Sequence, residues 1–227
     1  MTTLVEKLKW RARANPQRIV LADGEDARVV SAAAAIAREG FAKITLLGRK
    51  QIIKSVASDL RVELGNVSIV DPALSDRAEA YAQTYCERRR ARGVSLDEAR
   101  SAARQPLYYA ALSVATGDAD GTVGGAANTT VETVRAALHS IGLAPDARLV
   151  SSFFLMIIPE RAGLQLGPDG ALLFADCAVV PDPMPRSLRK SREAPRKMRV
   201  LFLTPSRVSR CFPFPLKARQ AMRGLKK

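Results

Sequence analysis

The sequence predicts an α/β fold in which a parallel sheet is flanked by helices in three layers. Through the first 183 residues, short apolar runs alternate with longer segments that have helical spacing. The connections between these segments are short, and the order begins β-α-β-α-β. Because parallel neighbouring strands need a crossover, usually a helix, this order favours a parallel sheet over a hairpin-based one.

The first half of the pattern contains three strands and two helices. Strands are predicted for RIVLAD (18–23), KITLL (43–47) and VSIV (67–70). Helices are predicted for the Ala-rich segment 27–39 and for 51–60. Gly40 follows the first of these helices directly and is a typical helix end, since glycine adopts the left-handed conformation without strain.

Two further helices are predicted next along the chain. The first covers 75–92 and is charged along its length. The second starts at Ser95, where Ser95 and Glu98 have the spacing of a capping box, and runs to the apolar segment before Gly117.

A Gly-rich segment, GDADGTVGGAANTT, follows these helices and is interpreted as a loop around a short buried strand. It leads into a helix predicted at 131–141. Two apolar runs of strand length, 148–158 and 171–180, come after it, with a turn at 168–170 between them.

The charge of the chain divides sharply near residue 183. The formal charge is +14, which favours a nucleic-acid partner when basic residues cluster on a fold. However, residues 1–183 hold 22 basic and 21 acidic residues, whereas residues 184–227 hold 14 basic residues and one acid. The predicted domain at 1–183 is therefore nearly neutral, and nucleic acid is expected to bind only nonspecifically, through the tail.

The tail, 184–227, has a different composition from the domain. It contains five prolines and no sustained helical or strand period. Large apolar residues are scattered among arginines, serines and prolines, which is unusual for a basic tail that binds anionic partners. We expect a disordered segment, and we interpret it as the product of a frameshift or truncation near Pro183.

Composition excludes several other classes of protein. No stretch has the roughly 18 consecutive apolar residues of a membrane span, and the charged start has no signal-peptide core. A cytoplasmic location and no membrane partner are therefore expected. Three cysteines, Cys86, Cys177 and Cys211, have spacings typical of neither disulfide frameworks nor metal sites.

The Gly-rich loop is the first candidate for chemistry. Gly124 and Gly125 allow a ligand to approach the backbone, and Thr129 and Thr130 stand where the next helix begins. A helix start presents free N–H groups to phosphate. Spacing alone nevertheless favours a tight turn with a threonine N-cap.

Basic residues form the second group of candidates. Arg135 lies in the first turns of the helix after this loop, near enough to share an anion with the threonines. Spacing alone singles out none of the arginines at the end of the 75–92 helix, Arg88, Arg89, Arg90 and Arg92.

The remaining candidates are less specific. Asp118, Asp120 and Asp176 either face a ligand crevice at strand ends or stabilise turns. His139 and Cys177 are interpreted as structural residues.

These residues also carry a resemblance to a known family. RIVLADGEDARVVSAAAAIAREGFAKITLLG, the GDADG…GA…TT…R block and LLFADCAVVPDP resemble, in order, the N-terminal half of the phosphate acetyl/butyryl transferase family. The resemblance covers 1–183. It implies a two-domain α/β protein, usually a homodimer, with the site in the cleft between the domains.

The resemblance implies reversible acetyl transfer between coenzyme A and inorganic phosphate, with acetyl-CoA and phosphate as substrates and no bound cofactor or metal. Arg89 and Arg135 match the two arginines of the family's site, and their implied catalytic role is to hold the phosphate or the CoA phosphates. The loop residues Gly124, Gly125, Thr129 and Thr130 become the expected substrate-binding groups. The alternatives are a phosphate butyryltransferase, a malic-enzyme-type transferase-like domain, and a non-catalytic fragment that binds anions, CoA or nucleic acid.

The sequence also departs from the family pattern. Gly124, Asn128 and Ala136 stand where serine, histidine and proline are usual. The family's later segments, with a serine, a basic residue and an aspartate of the site, have no counterpart after Pro183. We therefore expect an incomplete family fold and no turnover by this chain.

Overall fold

The structure of the chain is a computed structural model, which describes residues 4–143, 150, 153–157 and 171–175. The helices and the larger sheet between residues 4 and 143 lie in one compact unit. The helices are α1 (Leu4–Ala14), α2 (Ala27–Glu39), α3 (Lys50–Asp59), α4 (Ala78–Arg89), α5 (Leu96–Ala103), α6 (Pro106–Ala115) and α7 (Thr130–Ser140). The strands are β1 (Gln17–Leu21), β2 (Ala42–Leu47), β3 (Ser68–Val70), β4 (Gly121–Val123), β5 (Phe153–Ile157) and β6 (Ala171–Ala175).

The four strands β3-β2-β1-β4 form a parallel sheet in that order. In register, Leu21 of β1 stands beside Leu46 of β2 and Val123 of β4. The chain therefore moves outward from β1 to β3 and then returns to add β4 on the other side. β5 and β6 pair separately as a two-stranded sheet.

Helices cover both faces of the four-stranded sheet, which confirms the predicted three-layer α/β class. On one face, Leu21 and Leu46 pack with residues of α2 and α3. On the other, Val20 and Leu47 pack with residues of α4, α5 and α6. Adjacent strand residues such as Val20 and Leu21 serve different cores because successive side chains point to opposite faces.

Most predicted elements through residue 70 are confirmed within one or two residues. The helix predicted at 27–39 is α2, and Gly40 ends it with φ 69°. The Ser95–Glu98 capping box is present at the start of α5.

One predicted helix is two in the structure. The segment from Ser95 to the residues before Gly117 forms α5 and α6, with a break between Ala103 and Pro106. Proline has no N–H to donate, and it disfavours helical geometry at the residue before it, Gln105. Pro106 therefore starts a new helix.

Other boundaries are also corrected. The helix predicted at 75–92 begins at Ala78, because Ser75 instead accepts a hydrogen bond from the N–H of Arg77 in a local turn. It ends at Arg89 and is followed by a 3-10 turn at Arg90–Arg92. The strand β4 is buried only at Gly121, since Val123 is 46% exposed at the edge of the described sheet.

The first helix, α1, was not predicted from the sequence. It has no buried residue, although Leu4, Leu8 and Ala12 stand at helical spacing in the sequence. Lys9 and Arg13 attach it through salt bridges to Glu39 at the end of α2, with N–O distances of 2.7 and 3.4 Å.

The predicted boundary at 183, the tail 184–227 and the turn at 168–170 lie outside the described residues, as do Asp176, Cys177 and Cys211. Among the described residues, no helix is long and apolar enough to cross a membrane.

Candidate functional site

The carboxyl ends of β1 and β4 lie side by side at the point where the strand order reverses. The chain builds β2 and β3 on one side of β1 and β4 on the other. In open parallel sheets, ligands bind in the crevice that forms at such a point, outside the carboxyl ends of the strands. The segments there are the turn after β1 and the Gly-rich loop after β4.

A single buried carboxylate joins these two segments. Oδ2 of Asp23, in the turn after β1, accepts hydrogen bonds of 2.8 Å from the N–H groups of Gly125 and Ala126. Oδ1 accepts a hydrogen bond from the side-chain amide of Asn128. Asp23 is only 8% exposed. We call Asp23 with Gly125, Ala126 and Asn128 the Asp23 clasp.

A second contact holds the loop from outside the clasp. The guanidinium of Arg28, at the start of α2, donates to the carbonyl of Ala126 at 2.7 Å. Asp26 fixes the same guanidinium with two hydrogen bonds. The side-chain hydrogen bonds from Arg28 lower the pKa of Asp26 to about 2. Asp26 therefore remains ionised, and Arg28 is oriented toward the loop at physiological pH.

The helix that follows the loop is capped by its own residues. Thr129 is the N-cap of α7, as the spacing favoured, and Thr130 is the first helical residue. The Oγ1 of Thr129 accepts from the N–H of Glu132 at 3.2 Å, while the Glu132 carboxylate accepts from the N–H and the hydroxyl of Thr129 at 2.8 and 2.7 Å. The T-x-x-E spacing of this capping box was a readable signal that the sequence analysis did not use.

Two of the four predicted substrate-binding residues already have their N–H groups bound within the chain. The N–H of Gly125 is bound by Asp23, and the N–H of Thr129 by Glu132. Gly124 lies so close to Leu107 that a Cβ atom there would stand 2.9 Å from Leu107 Cδ2. The substrate role of Gly124, Gly125, Thr129 and Thr130 stays a prediction, and an anion on these N–H groups would have to displace a carboxylate.

The two predicted catalytic arginines lie on neighbouring helices. Arg89 ends α4 and is half-buried, and Arg135 lies exposed on α7. The helices α4 and α7 pack against each other. The charges of Arg89, Arg135 and Arg92 all act on one imidazole, that of His139 on α7. We call Arg89, Arg92, Arg135 and His139 the arginine face.

The positive charge of this face is not neutralised by ion pairs. Within the part of the chain that the structure describes, no salt bridge involves Arg89, Arg92 or Arg135. The Nε of Arg89 is buried and has no hydrogen-bond acceptor among the described residues. Buried donors of this kind are rare in folded proteins. The arginine face therefore offers unpaired donors to an anion.

The neighbouring arginines of the cluster differ from Arg89. Arg88 donates to the carbonyl of Ile141 at 3.0 Å, at the end of α7, where a cation complements the helix dipole. Arg90 is exposed in the 3-10 turn. The structure therefore separates Arg89, which lies beside His139, from Arg88, which caps a helix end.

The aspartates before β4 lie at its amino end and stabilise the fold there. Asp120 holds Arg18 of β1 through hydrogen bonds to its guanidinium and its N–H. Asp118 accepts from Arg77 and from the hydroxyl of Tyr81. Burial acts to raise the pKa of Asp118, but these hydrogen bonds outweigh it and lower the pKa. Burial and the bond to Asp118 raise the pKa of Tyr81 to about 12.

His139 is half-buried, as expected of a structural histidine, but its surroundings could not be read from the sequence. Its Nδ1 lies 3.4 Å from the hydroxyl of Tyr85, and its ring lies 6.3 Å from that of Tyr108. Burial lowers the pKa of His139, and the three arginines lower it further. Within the described residues, no group of three or more His, Cys, Asp or Glu side chains could hold a metal ion.

The three-layer fold and the switch point between β1 and β4 define an α/β protein whose described residues leave Arg89, Arg92 and Arg135 without salt bridges. A sequence model of the family described as Phosphate acetyl/butaryl transferase matches residues 3–194. The chain therefore belongs to the phosphate acetyl/butyryl transferase family.

Curated relatives agree with this assignment. The chain is 39% identical over 181 residues to a phosphate acetyltransferase of Acetivibrio thermocellus, a match that covers 80% of this chain and 53% of the relative. It is also 39% identical over 180 residues to a phosphate acetyltransferase of Clostridium acetobutylicum, covering 79% and 53%. The chain thus spans about half the length of the curated relatives it matches.

Solved structures show the same fold. The EutD phosphotransacetylase from Staphylococcus aureus superposes with a TM-score of 0.71 and 29% identity, over 84% of this chain and 55% of that one. A phosphotransacetylase from Streptococcus pyogenes superposes with a TM-score of 0.75 and 26% identity, over 86% and 57%.

Proposed function

We propose that the arginine face is the phosphate-binding part of an acetyl-transfer site. The reaction is acetyl-CoA plus phosphate giving acetyl phosphate plus CoA. The observation that carries the proposal is that Arg89 and Arg135, on the packed helices α4 and α7, both act on His139, while the buried Nε of Arg89 has no acceptor within the described chain. The relatives named phosphate acetyltransferase support acetyl as the acyl group.

In this reaction a phosphate oxygen attacks the thioester carbonyl, the carbon–oxygen bond forms, and the carbon–sulfur bond breaks to release CoA. Two guanidinium groups suit the first requirement, because they bind phosphate oxygens in paired hydrogen bonds. Fixing the phosphate beside the thioester lowers the barrier through orientation. Cations at this position also stabilise the negative charge that spreads over the reacting oxygens.

The Asp23 clasp has a different role in this proposal. Its carboxylate already binds the N–H groups of Gly125 and Ala126, so in this proposal the loop contributes by placing α7 and Arg135 and not by holding phosphate. Phosphate is therefore assigned to the arginines. The role of the loop glycines as direct ligands remains the weaker alternative.

The binding test measures phosphate and sulfate affinity by calorimetry for the full chain and its variants. We expect Arg89→Ala and Arg135→Ala each to weaken anion binding by about tenfold, the effect of losing one charged hydrogen bond of about 1.5 kcal/mol. The matched control is Arg90→Ala, next to Arg89 and exposed. Equal losses in all three variants would show only nonspecific attraction and would refute the assigned site.

The turnover test follows thiol release from acetyl-CoA with and without phosphate or arsenate. The expectation that this chain alone does not turn over stays a prediction. Phosphate-dependent thiol release by the full chain that Arg90→Ala retains and Arg135→Ala loses would contradict that expectation and support the proposed site. The cofactor-free reaction and the homodimer also remain predictions. They are checked by activity after exhaustive dialysis against chelator and by sedimentation.

A further inference from the structure

His139 and Tyr85 each lie one helical turn from one of the two arginines. His139 follows Arg135 by four residues on α7, and Tyr85 precedes Arg89 by four residues on α4, so each pair shares one side of its helix. The hydroxyl of Tyr85 lies 3.4 Å from Nδ1 of His139. The ring of Tyr108, from α6, lies 6.3 Å from the imidazole at a 47° tilt.

Among the described residues, no acidic side chain is one of the ionisable groups that face His139. These groups are Tyr85 and Arg89 from α4, Arg92 from the 3-10 turn, Tyr108 from α6 and Arg135 from α7. Burial raises the pKa of Tyr85, so its hydroxyl stays neutral near pH 7. The charges that the described residues place on the imidazole are therefore positive, from Arg89, Arg92 and Arg135.

Two buried polar atoms at the packed pair α4 and α7 also have no hydrogen-bond partner within the described part of the chain. They are Nε of Arg89 and Oγ of Ser140, the residue after His139. Buried polar atoms are normally satisfied by protein or by bound species. A bound anion would give Arg89 its acceptor and would also change the field at the imidazole.

We propose that His139 is a proton-linked residue of the anion site, which takes up a proton when an anion binds between Arg89 and Arg135. The inference rests on the proposed function because it uses the same two arginines. The relatives' name, phosphate acetyltransferase, says nothing about proton uptake when an anion binds.

The physical reason is the removal of charge repulsion. In the free site, burial and the three cations lower the pKa of His139 below its usual 6.5. A dianion on Arg89 and Arg135 cancels much of that field, so the pKa of the bound state is higher than that of the free state. Because binding and protonation are reciprocal, the anion then binds more tightly as the pH falls from the bound-state pKa toward the free-state pKa.

The chain offers a clean experiment because His139 is its only histidine. The imidazole C–H resonance of the full chain is followed by NMR from about pH 5 to about pH 8, the range in which histidine titrates. Sulfate serves as the probe, since it remains a dianion across this range whereas phosphate changes charge. Sodium chloride at matched ionic strength is the control for screening.

We expect saturating sulfate to shift the midpoint of this titration upward, and chloride to leave it in place. Calorimetry should show sulfate affinity several-fold higher near pH 5.5 than near pH 7.5. His139→Gln, which keeps a polar side chain of similar size, should lose most of this pH dependence. The NMR titration needs no variant, so a misfolded variant does not block the test.

The possible failures are distinguishable. Sulfate that binds in an Arg89- and Arg135-dependent way, with the His139 titration unmoved, overturns the proton link and leaves the proposed function intact. Sulfate that fails to bind, or that binds equally to the double variant of Arg89→Ala and Arg135→Ala, overturns both.

Discussion

The Asp23 clasp and the arginine face differ in how their polar groups are satisfied. In the clasp, one buried carboxylate accepts three hydrogen bonds from the loop after β4. On the arginine face, the charges of three arginines act on the imidazole of His139. The buried Nε of Arg89 has no acceptor within the described chain. The hydrogen bonds of the clasp thus hold the fold together, whereas the arginine face retains a donor that is free to bind a ligand.

This difference predicts that the clasp contributes mainly to the stability of the fold and the arginine face mainly to ligand binding. Groups that satisfy each other stabilise the fold, because breaking one leaves its partner buried and unpaired. A buried group that remains unpaired lowers the stability of the fold, and its donor or acceptor is free for an external partner. The four predictions below test this separation, in order of decreasing expected effect.

The largest effect is expected from Asp23→Ala. Its removal leaves two loop N–H groups and the Asn128 amide without their acceptor, so we expect the free energy of unfolding to fall by about 3 kcal/mol. Urea unfolding followed by circular dichroism measures the change. The control is Asp76→Ala, at an exposed position, for which a change within about 0.5 kcal/mol is expected. Equal losses of unfolding free energy at both positions would contradict the structural role of the clasp.

A smaller loss is expected from Gly24→Ala, beside the clasp. A Cβ atom at Gly24 would stand 2.5 Å from the carbonyl oxygen of Leu47, so β1 and β2 would have to separate. We expect destabilisation of about 2 kcal/mol from this overpacking. Gly65→Ala is the comparison: it has open space but φ +55°, and backbone strain there predicts about 1 kcal/mol. A smaller loss at Gly24 than at Gly65 would contradict the close-approach argument.

Where α4 packs against α7, a substitution is expected to raise the free energy of unfolding instead of lowering it. Ser140 is fully buried and its Oγ has no partner among the described residues. Ser140→Ala removes that unsatisfied hydroxyl and favours the helix, so thermal unfolding should show a gain of about 1 kcal/mol. The buried Ser113, whose hydroxyl donates to Ala110 at 2.8 Å, is the matched control, and Ser113→Ala should give no such gain. A loss at Ser140 would show that a bound group uses its hydroxyl.

The smallest effect is a change of stability with pH. The folded-state pKa of His139 is lowered by burial and by the arginines, so the unfolded chain takes up the proton first as the pH falls. The stability from neutral His139 is complete above about pH 6.5, the unfolded value, and is lost as the pH falls toward the folded value. Urea midpoints of the native chain and of His139→Gln should converge in this window. Parallel profiles would contradict the assigned field.

The sequence predicted elements that depend on neighbouring residues. The helix α2 and its glycine end follow from local spacing, and so does the Ser95–Glu98 capping box. The break at Pro106 was missed although its chemical cause was visible in the sequence. Helix α1 was missed although Leu4, Leu8 and Ala12 have helical spacing, and its ion pairs to Glu39 are long-range contacts that the sequence does not show.

The candidate site was predicted only in part. The resemblance singled out Arg89 and Arg135, and the structure places both around His139. Asp23 was not singled out, although an acid directly after the first strand of a parallel sheet is a readable signal of a residue at the switch point. Its partners, Gly125 and Ala126, lie more than 100 residues further along the chain.

By itself, the sequence determined the class of fold and the family. Both depend on the order of strands, helices and motifs, which is written along the chain. Only the tertiary structure decided which group fills the Gly-rich loop and which arginine lies beside the histidine. Those pairings depend on how β1 pairs with β4 and how α4 packs against α7. Hydrogen bonds and charge interactions depend on distance in space, so residues far apart in the sequence can form them.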